Sequence, residues 1–256
     1  MLVRMTFREY IDRNYERSGC DRTACDEDLD RWMEVFAQHA PGTRPLTVVH
    51  LESEWGQLTP SLARVFGGPV FGVEPCDRVR AKAQQDAACP AVSYLDGRMS
   101  EIPLPQDSCD LVVVWPLWHE IREPDRAVRE IARVLRPGGR VMLKAWFGDR
   151  LPRLPWHAWH PRSAAIERQV LPQLSQVTAA FAEAGLQRIA VERVPQMVAS
   201  EAGFRMYVDH LTYRRLIMAG YLDLDEDRAG WAAAWQAVEA GLTEPLYEEY
   251  DLLVLG

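Results

Sequence analysis

Long hydrophobic runs are missing from this 256-residue chain. The longest, Leu111 to Trp118, is too short to cross a bilayer, so no transmembrane helix is expected. The opening MLVRMTFREYIDRNYERSGC carries charges every few residues and no apolar stretch before a small-residue cleavage site; no secretory signal is readable, and a cytoplasmic location is expected. Positive charge is also scarce: 29 basic residues face 37 acidic ones, a formal net charge of −8, with no basic stripe. Phosphate neutralisation needs such a face, so nucleic acid is not an expected partner. Lysine is nearly absent, Lys82 and Lys144 being its two occurrences. The five cysteines (Cys20, Cys25, Cys76, Cys89, Cys109) form no CxxC pair and have no histidine at ligand spacing, which excludes a disulfide framework and a zinc site; no metal is expected. What is present is a 48% apolar composition, enough for a globular core.

From 46 to 147 short apolar runs alternate with stretches of helical period, the signature of βαβ units and a parallel sheet. LTVVHL (46–51), PVFGVE (69–74), AVSYL (91–95), DLVVVW (110–115) and RVMLKAW (140–146) read as strands. Pro60 opens one intervening helix, Asp77 is a candidate cap for a second, and Asp125 a candidate cap for a third. In the third, Ala127, Ile131, Val134 and Leu135 share a face, and Pro137-Gly138-Gly139 ends it. The stretch 148–163, with Pro152, Pro155, Pro161 and two Trp-His pairs, reads as loop. A helix over 175–184 with Phe181 inward, a break at Gly185 and a strand LQRIAVERV follow. Met206, His210, Tyr213 and Ile217, then Trp231, Trp235 and Val238, recur at helical spacing, and YDLLVLG closes the chain as a strand. One domain over 1–256 is expected: an N-terminal helical segment (1–45), a sheet core (46–194 and 246–256) and a helical insertion (195–245).

The succession GVEP, EIPLPQDSCDLVVV, LWHEI, REIARVLRPGGRVML, FAEAGL and EEYDLLVLG resembles the class I S-adenosylmethionine-dependent methyltransferases, in their small-molecule bacterial branch. The resemblance implies an α/β, Rossmann-like fold with a seven-stranded, mostly parallel sheet, its last strand antiparallel, under a helical cover. It implies S-adenosylmethionine as cofactor and a small metabolite as methyl acceptor. In that family the turn after the first strand is glycine-rich, of the form DLGCGTG, because bare backbone must approach the cofactor. Here it reads His50-Leu51-Glu52-Ser53-Glu54-Trp55-Gly56, so Gly56 alone keeps a glycine, His50 replaces the strand-end acid, and Glu52 and Glu54 replace two glycines. Glu74 matches the family's ribose-binding acid. Arg98 stands where the family has an aspartate for the adenine amino group, a hydrogen bond that a guanidinium cannot accept.

Three functions are compatible with this pattern. In methyl transfer, His119 after the fourth strand is the candidate base; the competing reading is a histidine that closes the pocket floor or caps a helix. In a repurposed enzyme that needs no S-adenosylmethionine and catalyses a cyclisation, elimination or isomerisation, Glu52 and Glu54 supply acid and base; the competing reading is a pair of surface carboxylates, or an ion pair to Arg98 that plugs the cleft. In a non-catalytic subunit bound to a protein partner, or a homodimer, the nine tryptophans, Trp32, Trp231 and Trp235 among them, furnish an apolar surface. Trp115 and Trp118, with His157 and His160 at the carboxyl edge of the sheet and Tyr207 and His210 on the insertion, are candidate walls of a pocket for a flat or apolar substrate. Packing into a core is the ordinary alternative for each.

Overall fold

The computed structural model describes residues 26–42, 44–115, 118, 121, 123–200, 204–205, 207–208, 224–241 and 244–256. Cys20, Cys25, His119, His210, Tyr213 and the first 25 residues lie outside them. The elements are α1 (Asp26–His39), β1 (Leu46–Leu51), α2 (Thr59–Phe66), β2 (Gly67–Val73), α3 (Asp77–Asp86), β3 (Val92–Leu95), β4 (Cys109–Val114), α4 (Pro124–Val134), β5 (Leu135–Ala145), α5 (Ser163–Val170), α6 (Leu174–Glu183), β6 (Arg188–Ala199), α7 (Leu224–Ala240) and β7 (Leu246–Leu255). The seven strands form one sheet in the order β3-β2-β1-β4-β5-β7-β6. The ladders joining β1 to β2 and β4, β2 to β3, and β4 to β5 are parallel, and β7 runs antiparallel to β5. This is the expected fold class.

The central strands are apolar because helices cover both sheet faces: in β1 and β4 nearly every side chain is buried. From β1 the chain moves outward through α2 to β2, and from β4 it moves the other way through α4 to β5. Right-handed crossovers therefore put α2 and α4 on opposite faces. α1 packs with α2, and α6 with α4. α4 buries Ala127, Val128, Ile131 and Val134, while Leu135 already belongs to β5.

Several boundaries differ from the sequence reading. Asp77 and Asp125 do not cap: Cys76 and Glu123 hold the cap positions, without side-chain bonds, and the aspartates sit in the first turn, where a negative charge favours the helix dipole. β6 continues through Pro195 to Ala199 instead of ending at 194. The last place in the strand order tolerates a proline that a central ladder would reject. The residues group into two compact units: Asp26–Trp146, Leu174–Val194 and Asp251–Gly256 form the first, and the second holds Phe147–Gln173 and Pro195–Tyr250. Among the described residues no helix is long and apolar enough to cross a membrane.

Candidate functional site

The strand order reverses between β1 and β4. In open α/β sheets the carboxyl edge at such a point forms the ligand crevice. The turn 52–56 follows β1 at that edge. Its backbone is left-handed at alternate residues, with φ of +53° at Glu52, +48° at Glu54 and +76° at Gly56. Glutamates thus hold a conformation that suits glycine, at about 1–2 kcal/mol each. The surrounding bonds fix it: Ser53 N–H donates to the Val73 carbonyl (3.0 Å), and Gly56 N–H to the Ser53 carbonyl (2.9 Å). The Glu74 carboxylate, buried just past β2, accepts from Glu54 N–H (3.2 Å) and from Cys76 N–H (2.8 Å).

Beneath the turn, His50, Gly72 and Tyr94 are register partners on β1, β2 and β3 and share one sheet face. The Tyr94 ring lies over both glycines of this region. A Cβ on Gly72 would come within 2.6 Å of it, and one on Gly56 within 2.1 Å of its hydroxyl. Gly56 is therefore required for space as well as for φ. Burial pushes the Tyr94 phenol up, opposed in part by Thr59. His50 Nδ1 meets the Thr59 hydroxyl at 2.9 Å, and burial lowers the imidazole to about 3, so the ring is neutral. Its Nε2 and the Ser53 hydroxyl have no partner among the described residues.

Arg98 is exposed and its backbone pairs with Glu101. Its guanidinium makes no ion pair among the described residues, so it plugs no cleft. Trp115 and Trp118 part company: Trp115 packs edge-on to Trp32 (5.0 Å between ring centroids) and Phe36 (6.2 Å), whereas Trp118 packs on Phe181 of α6 (5.3 Å).

The other candidates belong to the second unit. His157 Nδ1 accepts from Leu154 N–H (3.1 Å), so the ring proton sits on Nε2 and is donated to Glu167 (2.7 Å). His160 packs against the Trp156 and Trp231 rings, with Gly230 close on it. The Tyr207 hydroxyl donates to Glu248 (2.8 Å), as does that of Tyr250 (2.7 Å). These three candidates are buried and bonded or packed within their own unit. Among the described residues no group of three His, Cys, Asp or Glu side chains is placed to hold a metal ion. The sequence reading did not place Tyr94 beside the turn; Gly72 inside a strand was the available signal.

The sheet order defines a Rossmann-like α/β protein whose strand order reverses between β1 and β4. Residues 53–143 match the family described as a methyltransferase domain. An uncharacterized methyltransferase of Mycobacterium tuberculosis is 40% identical over 109 residues, which are 43% of this chain and 42% of that one. The chain thus matches less than half the length of this curated relative. Among solved structures, the [4+2]-cyclase SpnF superposes with a TM-score of 0.58 at 19% identity, covering 91% of this chain and 82% of that one. The geranyl diphosphate C-methyltransferase of Streptomyces coelicolor, solved with S-adenosyl-L-homocysteine, superposes with a TM-score of 0.54 at 14% identity, covering 88% and 78%. These two similarities speak for the fold. Residues 53–143 are thus similar to a methyltransferase domain, and the sheet has the Rossmann-like fold of the structures it superposes on.

Proposed function

We propose that the protein transfers a methyl group from S-adenosylmethionine to a small-molecule acceptor. One observation carries the reading: the turn 52–56 keeps the left-handed path at the family's three glycine positions, although two of them are glutamates. That path supports binding of the cofactor's amino-acid end, and Glu74, tied to the turn by Glu54 N–H, supports binding of the ribose by its match to the family's ribose-binding acid. The residues fit the methionine and ribose portions; Arg98 does not fit the adenine amino group. The bound cofactor supplies an activated methyl on a sulfonium. The chain's part is to hold the acceptor in line with it, and His119 is the proposed base. Among the described residues the exposed large apolar side chains are Ile189 and Tyr247, which favours an enzyme over a docking subunit.

Calorimetric titration with S-adenosylmethionine and with S-adenosylhomocysteine tests the reading. Micromolar binding is expected. In folded Glu74→Gln and Glu74→Ala proteins it weakens by about 1.5–3 kcal/mol, the scale of a hydrogen bond to a charged group. No binding to the unmodified protein, or wild-type affinity in both variants, overturns the assignment. The strain held at Glu52 and Glu54 favours a second reading, a cofactor-independent rearrangement with these carboxylates as acid and base. In that case Glu52→Gln and Glu54→Gln abolish turnover without unfolding the protein.

A further inference from the structure

The loop that leaves β3 is pinned from two sides. On one side it lies against the end of β2. Glu74 N–H donates to the Leu95 carbonyl (3.0 Å), and the Arg80 guanidinium joins the Glu74 carbonyl (2.7 Å) to the Asp96 carboxylate (3.2 Å). A Cβ on Gly97 would come within 2.5 Å of Pro103 and 3.0 Å of Val73, so the loop folds back on itself over the last residue of β2. Arg98 and Glu101 close the bend by exchanging backbone bonds, and Met99 and Ile102 are buried. The loop thus stands beside Glu74, at the carboxyl edge of the sheet.

On the other side two residues on successive turns of α4 hold its returning limb. Ile102 N–H donates to the Glu130 carboxylate (2.9 Å). Arg133 donates to the carbonyls of Ile102 (2.9 Å) and Leu104 (2.7 Å), and grips Glu130 through Nε (2.6 Å) and Nη2 (2.7 Å). All three bonds to the loop end on its backbone, so they fix where it lies whatever its side chains are. A guanidinium is a planar fork that serves two carbonyls and a carboxylate at once; an ammonium is a single point of charge. The bonds from Arg133 also hold the Glu130 carboxyl below the usual carboxylate range, so the pair stays charged at neutral pH. Both side chains are partly exposed, where an ion pair by itself adds little stability.

We infer that Glu130 and Arg133 are positioning residues, which set the loop 96–104 at the carboxyl edge for the base end of a bound cofactor. They act through the backbone of Ile102 and Leu104. The assignment rests on the methyltransferase reading, since the resemblance puts the adenine contact at position 98, in the bend that the pair holds. Arg98 cannot accept a hydrogen bond from the adenine amino group. The grip on the base therefore falls to the backbone of the loop, and the placement of that backbone falls to α4.

The test is titration of the full chain and its folded variants with S-adenosylhomocysteine, each variant checked by urea unfolding. Arg133→Gln and Glu130→Gln are expected to weaken binding about tenfold, within the range over which a residue away from a ligand shifts its affinity. Arg133→Lys, which keeps the charge but not the fork, is expected to lose less. Arg136→Gln is the control: it cuts bonds to the Asp110 carboxylate and the Asp107 carbonyl at the amino end of β4, and is expected to lower stability with affinity unchanged. Pairs that only stabilise the fold shift the unfolding midpoint and leave affinity alone. Should Arg133→Gln fail to fold, Glu130→Gln decides, because it leaves the two bonds from Arg133 to the loop in place. Unchanged affinity in the Glu130 and Arg133 variants, or an equal loss in Arg136→Gln, overturns this assignment alone. No binding to the unmodified protein overturns the methyl-transfer reading, and this assignment with it.

Discussion

Replacing Glu52 and Glu54 by glycine stabilises the fold relative to alanine, although glycine ordinarily weakens a chain. Both residues have positive φ, so each Cβ contributes about 1–2 kcal/mol of strain that glycine relieves. Against this, glycine frees the unfolded chain by about 0.4–1 kcal/mol per site relative to alanine. The net gain is about 1–2 kcal/mol for the pair, or about 2–8 °C in Tm for a chain of this size. Comparing Glu52→Gly/Glu54→Gly with Glu52→Ala/Glu54→Ala isolates the backbone, because both pairs remove the same carboxylates. Urea and thermal unfolding of the two variants read the difference. A glycine pair no more stable than the alanine pair refutes the strain, and with it the conclusion that the turn keeps the glycine path. The glycine pair also restores the family's turn, so under the methyl-transfer reading its affinity for S-adenosylmethionine equals or exceeds that of the unmodified protein.

Two further perturbations follow from the face beneath the turn. His50 is held near pKa 3 by burial, while the unfolded chain takes up its proton near 6.5. The unfolded state therefore binds more protons inside this window; the contribution is complete above pH 6.5 and falls with pH toward 3, by about 1 kcal/mol per unit. The stability difference between wild type and His50→Gln, measured by urea unfolding at pH 7 and pH 5, narrows accordingly, and a constant difference contradicts the assignment. Gly72→Ala drives a methyl group into the Tyr94 ring and costs about 1–3 kcal/mol. In a Tyr94→Ala background most of that cost disappears, and an equal cost in both backgrounds rules out the close approach.

The alternation of apolar runs and helical stretches made the parallel sheet legible, since β1 and β4 are buried on both faces and read as continuous hydrophobic segments. The ends of β5 and β6 were not legible. Pro137 and Pro195 are local stop signals, yet Pro137 falls where the β4–β5 register shifts between Leu135 and Arg140, and Pro195 lies on the strand last in the order, so neither ladder needs the missing N–H. At the site, Glu74 and Gly56 stood out because their chemistry is local: an acid at a strand end and a glycine in a turn. Trp115 and Trp118 looked like neighbours in the chain, yet one packs on Trp32 and the other on Phe181. Their three-residue separation carries no information about direction once the strand has ended. His157 looked free to bind a substrate, but its Glu167 partner lies ten residues on, on α5.

Sequence alone determined the class of fold and the identity of the residues at the positions where the methyltransferase family has glycines. These follow from periodicity and turn chemistry, which act over a few residues. Only the tertiary structure decided that Glu52 and Glu54 are nonetheless held left-handed, by bonds to Val73 and Glu74 that cross from β1 to β2. Only it laid the loop after β3 between Val73 and the Glu130–Arg133 pair, because a loop and a helix far apart in the chain meet only once the layers of the sheet and its helices are packed.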